Sequence, residues 1–299
     1  LNNLEKVPIE VLSMVNLEEL DLGSNGISSV PVEIMGLANL KKLYFYGNNL
    51  QEFPTEILGL TNLESLNVAY NYNISSVPET INLLSNLKYL DVRGNSITVL
   101  PDSVLNLKKL NSLRVRDNKL DFSSLEKVIN SKLLDEFDYS PQQNFSVEPD
   151  EVKLAIDDTL TLSVVVGGTA NKYQWFKDGI AISEVSSDAK YVKGNITTED
   201  FGKYICQVTN DIVTGLTLVS KHIEVEKDII NNFRVEANDY RVKLAWENLN
   251  AEGNDPIAYT IYRSTSTLSY PSWREKVDYV NQDNITEVQD FNLEPGVDY

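Results

Sequence analysis

The sequence predicts a multidomain protein in which a repeat solenoid of the α/β class, built on a parallel sheet, precedes two all-β sandwiches. Three observations predict this architecture. Leucine, asparagine and proline recur together every 23 or 24 residues between Leu17 and Leu120. From Glu148 onward the repeat stops, and apolar residues alternate with polar ones as in half-buried strands. A short linker, Lys227–Asn232, then separates two strand-rich stretches.

Each repeat combines a short strand, a turn and a return segment. In the first full repeat, Leu20 and Leu22 alternate with Asp21 and Gly23, which predicts a strand with one buried face. An asparagine follows in the turn, where its amide can bond backbone groups left open between coils. These asparagines are Asn2, Asn25, Asn48, Asn71, Asn95 and Asn118. The return segments, which we expect to be short helical or extended pieces, begin at Pro8, Pro31, Pro54, Pro78 and Pro101.

This pattern resembles the leucine-rich repeat family, in the bacterial and plant form with an LPxxIxxL half. One coil cannot bury its own leucines, so the resemblance implies a right-handed stack of about six parallel strands. One buried column would contain Leu20, Leu43, Leu66, Leu90 and Leu113. An extra residue near Tyr72–Asn73 predicts a bulge. Because the pattern fails after Leu120 and helical spacing follows over 125–134, residues 121–145 are predicted to cap a first domain spanning 1–145.

The second domain is predicted over residues 146–227. One of its strands would carry Leu160, Leu162, Val164 and Val166 on one face. Trp175 and the run Asp200-Phe-Gly202-Lys-Tyr204-Ile-Cys206 follow. This order resembles an immunoglobulin-like domain, and it implies that Trp175 is the core tryptophan and that Tyr204 forms the tyrosine corner. Val164 stands where the family has its other cysteine, so we expect Cys206 to pack unpaired against Val164 and Trp175.

The third domain is predicted over residues 228–299. Strand-like segments at 233–237, 241–246 and 257–263 precede the run Leu293-Glu-Pro-Gly296-Val-Asp-Tyr299. They resemble a fibronectin type III domain, which implies that Trp246 is its core tryptophan and Tyr299 its corner tyrosine. The last two strands of such a sandwich are not in the sequence, so the domain is expected to be incomplete.

Composition narrows the possible partners. The formal net charge is −18, and acidic residues outnumber basic ones in both halves of the chain. This charge repels phosphate, which argues against nucleic acid and anionic membranes as partners. No apolar run approaches the length of a membrane span, and a single cysteine excludes an internal disulfide. We therefore expect a monomer that inserts into no membrane within this segment.

The sequence predicts no catalytic residues, no metal site and no cofactor. Its one histidine, His222, is expected to point away from the core on its strand, whereas Cys206 points inward, so the two cannot form a catalytic pair. The acidic pairs Asp157-Asp158 and Asn254-Asp255 could hold calcium. They lack an ordered ligand loop, however, and solvated turns are the more common explanation.

The candidate binding site is the outward side of the solenoid strands, which we call the concave face. Tyrosine and arginine, the residue types enriched at binding hot spots, crowd its middle and last coils. The predicted ligand-binding residues are Tyr44, Tyr46, Asn67, Tyr70, Tyr89, Asp91, Arg93, Arg114 and Arg116. The alternative is an ordinary exposed strand face on which Asp91 and Arg114 pair across strands. Asp91 and Asp117 would neutralise part of the arginine charge, but Arg93 beside Arg116 would still be like-charged neighbours, which favours a binding role with acidic or hydroxyl-rich ligands.

Solenoid, immunoglobulin-like domain and fibronectin-like domain in series resemble bacterial cell-surface adhesins of the internalin type. Vertebrate adhesion receptors share the order but usually have cysteine-rich caps and a bridged core, which this sequence lacks. The resemblance implies a non-catalytic cell-surface or secreted protein, not an enzyme, that binds a protein or glycan. One alternative is a non-catalytic ligand-targeting arm of a larger extracellular enzyme. Another is an intracellular scaffold, which the repeat type allows and the sandwich domains disfavour.

Overall fold

The computed structural model describes residues 3–228 in full and, beyond them, the backbone of five strands. The chain forms two compact units. The first comprises Leu1–Val152, Leu160–Lys193 and Gly202–Glu224. The second comprises Lys153–Thr159, Gly194–Phe201 and Val225–Tyr299. The solenoid and most of the immunoglobulin-like region therefore lie in the same unit.

The solenoid is built on six parallel strands in sequential order. They are β1 (Glu19–Asp21), β2 (Lys42–Tyr44), β3 (Ser65–Asn67), β4 (Tyr89–Asp91), β5 (Ser112–Arg114) and β6 (Glu136–Asp138). The register pairs Leu20 with Leu43 and continues through each following leucine to Phe137 of β6. The predicted column is confirmed, because Leu20 is 7% exposed and the four leucines that follow it are fully buried.

The return segments are short helices, one of the two forms that the sequence predicted. The first is an α-helix, α1 (Ile9–Leu12), and the next four are 3-10 helices at Val32–Gly36, Thr55–Gly59, Ile81–Leu83 and Asp102–Asn106. Their inward side chains, such as Ile34 and Ile57, are fully buried. Each coil thus places a strand on one side of a shared apolar core and a helix on the other, which is why neighbouring coils must cover each other's open ends.

Buried asparagines connect successive coils. The Nδ2 group of Asn48 donates to the carbonyls of Leu22 and Phe45 at 2.9 and 3.0 Å, and its Oδ1 accepts from the amide of Ile27 at 3.0 Å. Asn71, Asn95 and Asn118 make equivalent bonds. Asn2 lies outside the described residues. The predicted role of the turn asparagines is confirmed: each satisfies backbone groups that no regular structure pairs.

The extra residue of the third repeat distorts its turn. Tyr72 adopts a left-handed backbone conformation with φ of 54°, which the turns of the other full repeats do not show at this point, whereas the left-handed φ of Tyr70 recurs at the equivalent residue of each of those repeats. The amide of Asn73 bonds back to the carbonyl of Asn71 at 2.6 Å. The cap then begins with α2 (Phe122–Ser131), whose N-cap is Asp121. Its apolar residues Phe122 and Leu125 are fully buried, which confirms the predicted cap helix, although it starts before the predicted span.

The immunoglobulin-like region contains two sheets. Its strands are β7 (Glu151–Leu154), β8 (Leu160–Ser163), β9 (Asn171–Lys177), β10 (Ile180–Ala181), β11 (Lys190–Lys193), β12 (Gly202–Asn210), β13 (Leu218–Val219) and β14 (Ile223–Lys227). One sheet has the order β10-β9-β12-β14-β7, with β13 also paired to β12, and the other joins β11 to β8. Trp175 and Tyr204 are each 1% exposed, and Cys206 lies opposite Trp175 in the antiparallel register. The predicted core is confirmed for these residues and for Leu160, Leu162 and Val164, whereas Val166 lies beyond the end of β8 and is only half-buried.

Beyond residue 228 the described backbone is antiparallel and β-rich. β15 (Asn231–Asn238), β16 (Arg241–Glu247) and β19 (Glu287–Phe291) form one sheet, while β17 (Tyr259–Arg263) and β18 (Glu275–Val280) form another. The predictions for the Trp246 side chain and for Tyr299 lie outside the described residues. The assignment to a fibronectin type III domain, and the three domain boundaries, stay predictions.

Candidate functional site

The parallel register brings the predicted site residues into columns on the outward side of β1–β6. Asp21 pairs with Tyr44, Tyr44 with Asn67, Asn67 with Asp91, and Asp91 with Arg114. Side chains two residues apart on one strand share a face, so the residues after each strand extend the same surface. The structure therefore places the predicted residues on one side of the sheet, as neighbours rather than as scattered surface groups.

Tyrosines of the middle coils fill the space above glycines. The Tyr46 ring occupies the position that a side chain at Gly23 would take, and the Tyr70 ring does the same at Gly94. A larger residue at either glycine would displace the ring. Asn67 is held by a bond from the amide of Ala69 to its Oδ1 at 3.0 Å. Tyr44, Tyr46, Asn67 and Tyr70 are all half-buried, with part of each side chain facing solvent.

A network centred on Asp91 fixes the next coil. Asp91 is fully buried, and its carboxylate accepts two bonds from Arg93, Nε to Oδ1 at 2.9 Å and Nη2 to Oδ2 at 2.8 Å. The Tyr89 hydroxyl donates to Asp91 Oδ2 at 3.0 Å. Burial of Tyr89 and the adjacent Asp91 carboxylate raise the Tyr89 pKa to about 12. The hydrogen bond with Asp91 raises the Arg93 pKa, so the guanidinium stays charged near neutral pH.

The last coils pair the other two arginines with carboxylates of β6 and its surroundings. Arg114 Nη2 donates to Glu136 Oε1 at 2.8 Å, and its guanidinium carbon lies 5.4 Å from the centroid of the Tyr89 ring. Arg116 Nε lies 3.5 Å from Asp138 Oδ2 and 3.6 Å from Asp117 Oδ2. These two distances are longer than a hydrogen bond, so Arg116 is held more loosely than Arg93 or Arg114.

The pairing on this face differs from both explanations. Asp91 does not pair with Arg114, as the alternative of an ordinary strand face supposed; it pairs with Arg93, two residues further along the chain, where a bidentate geometry is possible. The arginines are also compensated more fully than expected, since each has at least one carboxylate within 4 Å. The inference that their charge calls for an acidic ligand therefore fails.

The sequence pointed to Asp91 and Asp117 as partial compensation for the arginines, but not to Glu136 and Asp138. These two residues lie on β6, in the segment predicted only as part of the cap. The signal was present but weak: Phe137 follows Leu113 at the repeat spacing and pairs with it in the sheet. Gln142 stands where the turn asparagine would be, 24 residues after Asn118, so the repeat frame is harder to recognise here.

Among residues 3–228, no group of three or more histidine, cysteine or acidic side chains is placed to hold a metal ion. His222 is exposed and Cys206 is fully buried, so these two residues do not form a pair. Burial raises the pKa of the Cys206 thiol to about 12, which disfavours the thiolate. Asp157 and Asp158 lie in an exposed turn, where Asp158 accepts a bond from the amide of Ala155. No helix among the described residues is long and apolar enough to cross a membrane.

Two different protein-family models match the solenoid and the immunoglobulin-like region. A leucine-rich repeat family model matches residues 15–74 and 61–120, and an immunoglobulin domain model matches residues 143–210. These matches confirm both domain types. No curated protein matches the chain.

Three solved structures illustrate what the fold is similar to. A leucine-rich repeat protein of Leptospira interrogans is 32% identical over 47% of this chain and 42% of its own, with a TM-score of 0.39. The leucine-rich repeat domain of the type III effector XopL is 22% identical over 52% of this chain and 57% of its own, with a TM-score of 0.41. An internalin from Listeria monocytogenes is 22% identical over 46% of each chain, with a TM-score of 0.36.

This chain spans between 42% and 57% of the length of these structures. With TM-scores this low, the similarities establish no shared function. What the geometry itself offers is a surface of tyrosines and paired charges held in place by neighbouring coils. Such a surface is suited to recognition, and leucine-rich repeats and immunoglobulin domains are both typically binding modules.

Proposed function

We propose that this chain is a non-catalytic, cell-surface or secreted binding protein that holds a protein or glycan on the concave face. The observation that carries the proposal is the fixed network of tyrosines and arginines on β2–β5. Its members are the residue types that dominate binding energy at interfaces. The family match supports the coarser part of the proposal, because leucine-rich repeats generally bind proteins.

Preorganisation is the physical advantage of this face. Tyr89 and Arg93 are already bonded to Asp91, and Arg114 is bonded to Glu136, so these side chains lose little further freedom when a ligand binds. Ordering flexible side chains is a major cost of association, and a surface that is ordered beforehand avoids it. Tyr44, Tyr46 and Tyr70 add apolar area beside these polar groups.

The charge balance indicates how the ligand would be held. Asp91, Glu136, Asp138 and Asp117 offset three arginines, so this end of the face carries no excess of positive charge. We propose that the ligand is held by tyrosine surface and by hydrogen bonds to paired groups, not by net attraction. The affinity should then depend weakly on salt concentration, in contrast to binding by exposed, unpaired charges.

The proposed location, extracellular or at a bacterial cell surface, follows from the order of the domains and from a core that lacks the bridged cysteines typical of vertebrate receptors. The proposed boundaries of 1–145, 146–227 and 228–299 belong to the same proposal. Limited proteolysis of the chain would test them.

The binding proposal is tested with the full chain after a partner has been isolated by pulldown. Arg93 is a poor probe, because removing it would leave the buried Asp91 charge unpaired and damage the fold. We instead expect Tyr44→Ala combined with Arg116→Ala to weaken binding by more than about 2 kcal/mol, measured by titration calorimetry.

Glu56→Ala is the matched control, since Glu56 lies in the 3-10 helix Thr55–Gly59 on the other side of the coil. It should leave affinity unchanged. If the concave double change is silent while Glu56→Ala or a change in the immunoglobulin-like region abolishes binding, the solenoid is a spacer and the proposed site is wrong.

A further inference from the structure

A buried carboxylate on the cap helix faces the immunoglobulin-like region. Glu126 of α2 is 5% exposed. It accepts hydrogen bonds from the amide of Thr169 at 2.7 Å, the Thr169 hydroxyl at 2.9 Å, the amide of Ala170 at 3.3 Å and Asn210 Nδ2 at 2.7 Å. All four donors belong to the immunoglobulin-like region, so the carboxylate oxygens of this solenoid residue accept their hydrogen bonds from that region.

Asn210 continues the network into that region. It is 4% exposed, and its Nδ2 also donates to Asn171 Oδ1 at 2.8 Å. Its Oδ1 accepts from the amides of Ile212 and Val213, each at 2.9 Å. Because Asn171 begins β9 and Asn210 ends β12, Glu126 is connected directly to two central strands of the larger sheet.

The face of α2 that carries Glu126 lies very close to the backbone of Gly167 and Gly168. Gly168 has φ of 125°, and a Cβ there would lie 2.7 Å from Phe122 Cβ and 3.0 Å from Glu126 Oε1. The amide of Gly167 donates to Asp121 Oδ2 at 3.2 Å. Only glycine combines this backbone conformation with the available space. The loop before β9 therefore fits the cap helix at the level of main-chain atoms.

A second contact lies after β6. The Tyr139 hydroxyl donates to the carbonyl of Thr214 at 2.6 Å, and the Ser140 hydroxyl to the carbonyl of Gly215 at 3.2 Å. Phe145 exchanges backbone bonds with Val219 and Lys221 at 3.1 and 2.8 Å. The cap is thus bonded to the immunoglobulin-like region both through α2 and through the segment that follows β6.

We propose that Glu126 is a positioning residue that couples the solenoid and the immunoglobulin-like domain into one cooperative opening unit. Separation would leave the Glu126 carboxylate without its four donors, would expose Phe122, and would remove from Asn210 its hydrogen bond to Glu126. Opening of the solenoid therefore destabilises the immunoglobulin-like domain, and opening of that domain destabilises the solenoid. The part of the immunoglobulin-like region that bonds α2 thereby serves as the outer part of the solenoid cap.

Cys206 offers a reporter for this coupling, because it is the only cysteine of the chain and is fully buried in the immunoglobulin-like core. Its labelling by a thiol reagent in mild denaturant measures how often that core opens. Leu113→Ala, in the solenoid column, should accelerate the labelling by about tenfold or more if the two regions open together. In a chain that also carries Glu126→Ala, the same Leu113→Ala change should add less than about twofold.

Two variants separate coupling from general damage. Glu126→Gln should retain the coupling, since its amide oxygen still accepts the backbone bonds and its NH2 group can donate to the Thr169 hydroxyl. Lys127→Ala, the next residue on α2, breaks only an exposed pair with Asp102 and should also retain it. The proposal is overturned if Leu113→Ala leaves Cys206 labelling unchanged, or accelerates it equally with and without Glu126.

If Glu126→Ala prevents folding, hydrogen exchange of the unsubstituted chain gives the same decision. The amides of Thr169 and Ala170 should then exchange with the same free energy of opening as the amides of β5. Exchange at Thr169 and Ala170 through a much lower free energy, with β5 still protected, would contradict the proposal.

Discussion

In the solenoid, buried polar groups recur at one position of every coil, whereas at the junction with the immunoglobulin-like domain a single carboxylate collects four donors. Asn48, Asn71, Asn95 and Asn118 each bond the backbone of their own coil and of a neighbouring one. Glu126 has no counterpart elsewhere in the described repeats. This difference shows that buried polar groups repeated in every coil distribute stability along the chain, whereas the hydrogen bonds of Glu126 concentrate it at one contact.

The largest effect on stability should come from the buried leucines that recur in every coil. Leu66→Ala removes a fully buried side chain with packed coils on both sides, and it should lower the free energy of unfolding by about 2–5 kcal/mol in denaturant titration. Leu83→Ala is the control, since Leu83 is 53% exposed and should change stability by about 0.5 kcal/mol or less. Equal effects at the two positions would contradict the stacked core.

The buried asparagines of the coils should contribute somewhat less to the free energy of unfolding. Asn95→Ala leaves the carbonyls of Val68 and Val92 and the amide of Asn71 without their bonds, which should cost about 1–3 kcal/mol in the same titration. Asn62 also reaches back one coil, to the carbonyl of Ala38, but on an exposed surface where water can replace it. Asn62→Ala should therefore cost much less, and a cost as large as that of Asn95→Ala would show that burial is not what makes the ladder valuable.

The smallest effect on stability should come from the charge of the Glu126 carboxylate. Burial by itself raises the Glu126 pKa, but the hydrogen bonds from Asn210, Thr169 and Ala170 outweigh it, so the pKa lies below its ordinary value. A carboxyl whose pKa is lowered on folding adds stability above its unfolded pKa and loses it as the pH falls through the folded value. The stability difference between the native chain and Glu126→Gln should be about 1 kcal/mol or less near neutral pH.

That difference should shrink as the pH is lowered to about 3, because other carboxylates titrate alike in both chains and cancel. Urea titrations of the two chains across this range would measure it. A difference that grows on acidification would mean that the ionised form of Glu126 is disfavoured at the junction.

Much of the solenoid was predictable because its information is periodic. Leu20 and its successors predicted the buried column, the asparagines predicted the ladder, and the prolines predicted the return helices. Trp175, Tyr204 and Cys206 similarly predicted the core of the immunoglobulin-like domain. In these cases each residue's environment repeats in neighbouring coils or follows from alternation along one strand, so burial can be inferred from sequence position.

The partners of the charged residues could be decided only by the tertiary structure. The sequence placed Arg93, Arg114 and Arg116 on one face, but it did not show that Glu136 on β6 reaches Arg114 across 22 residues. It gave no sign that Glu126 and Asn210, 84 positions apart, share a hydrogen bond. A side-chain contact depends on distances of a few ångströms between separate elements, whereas the repeat pattern depends only on spacing within the chain.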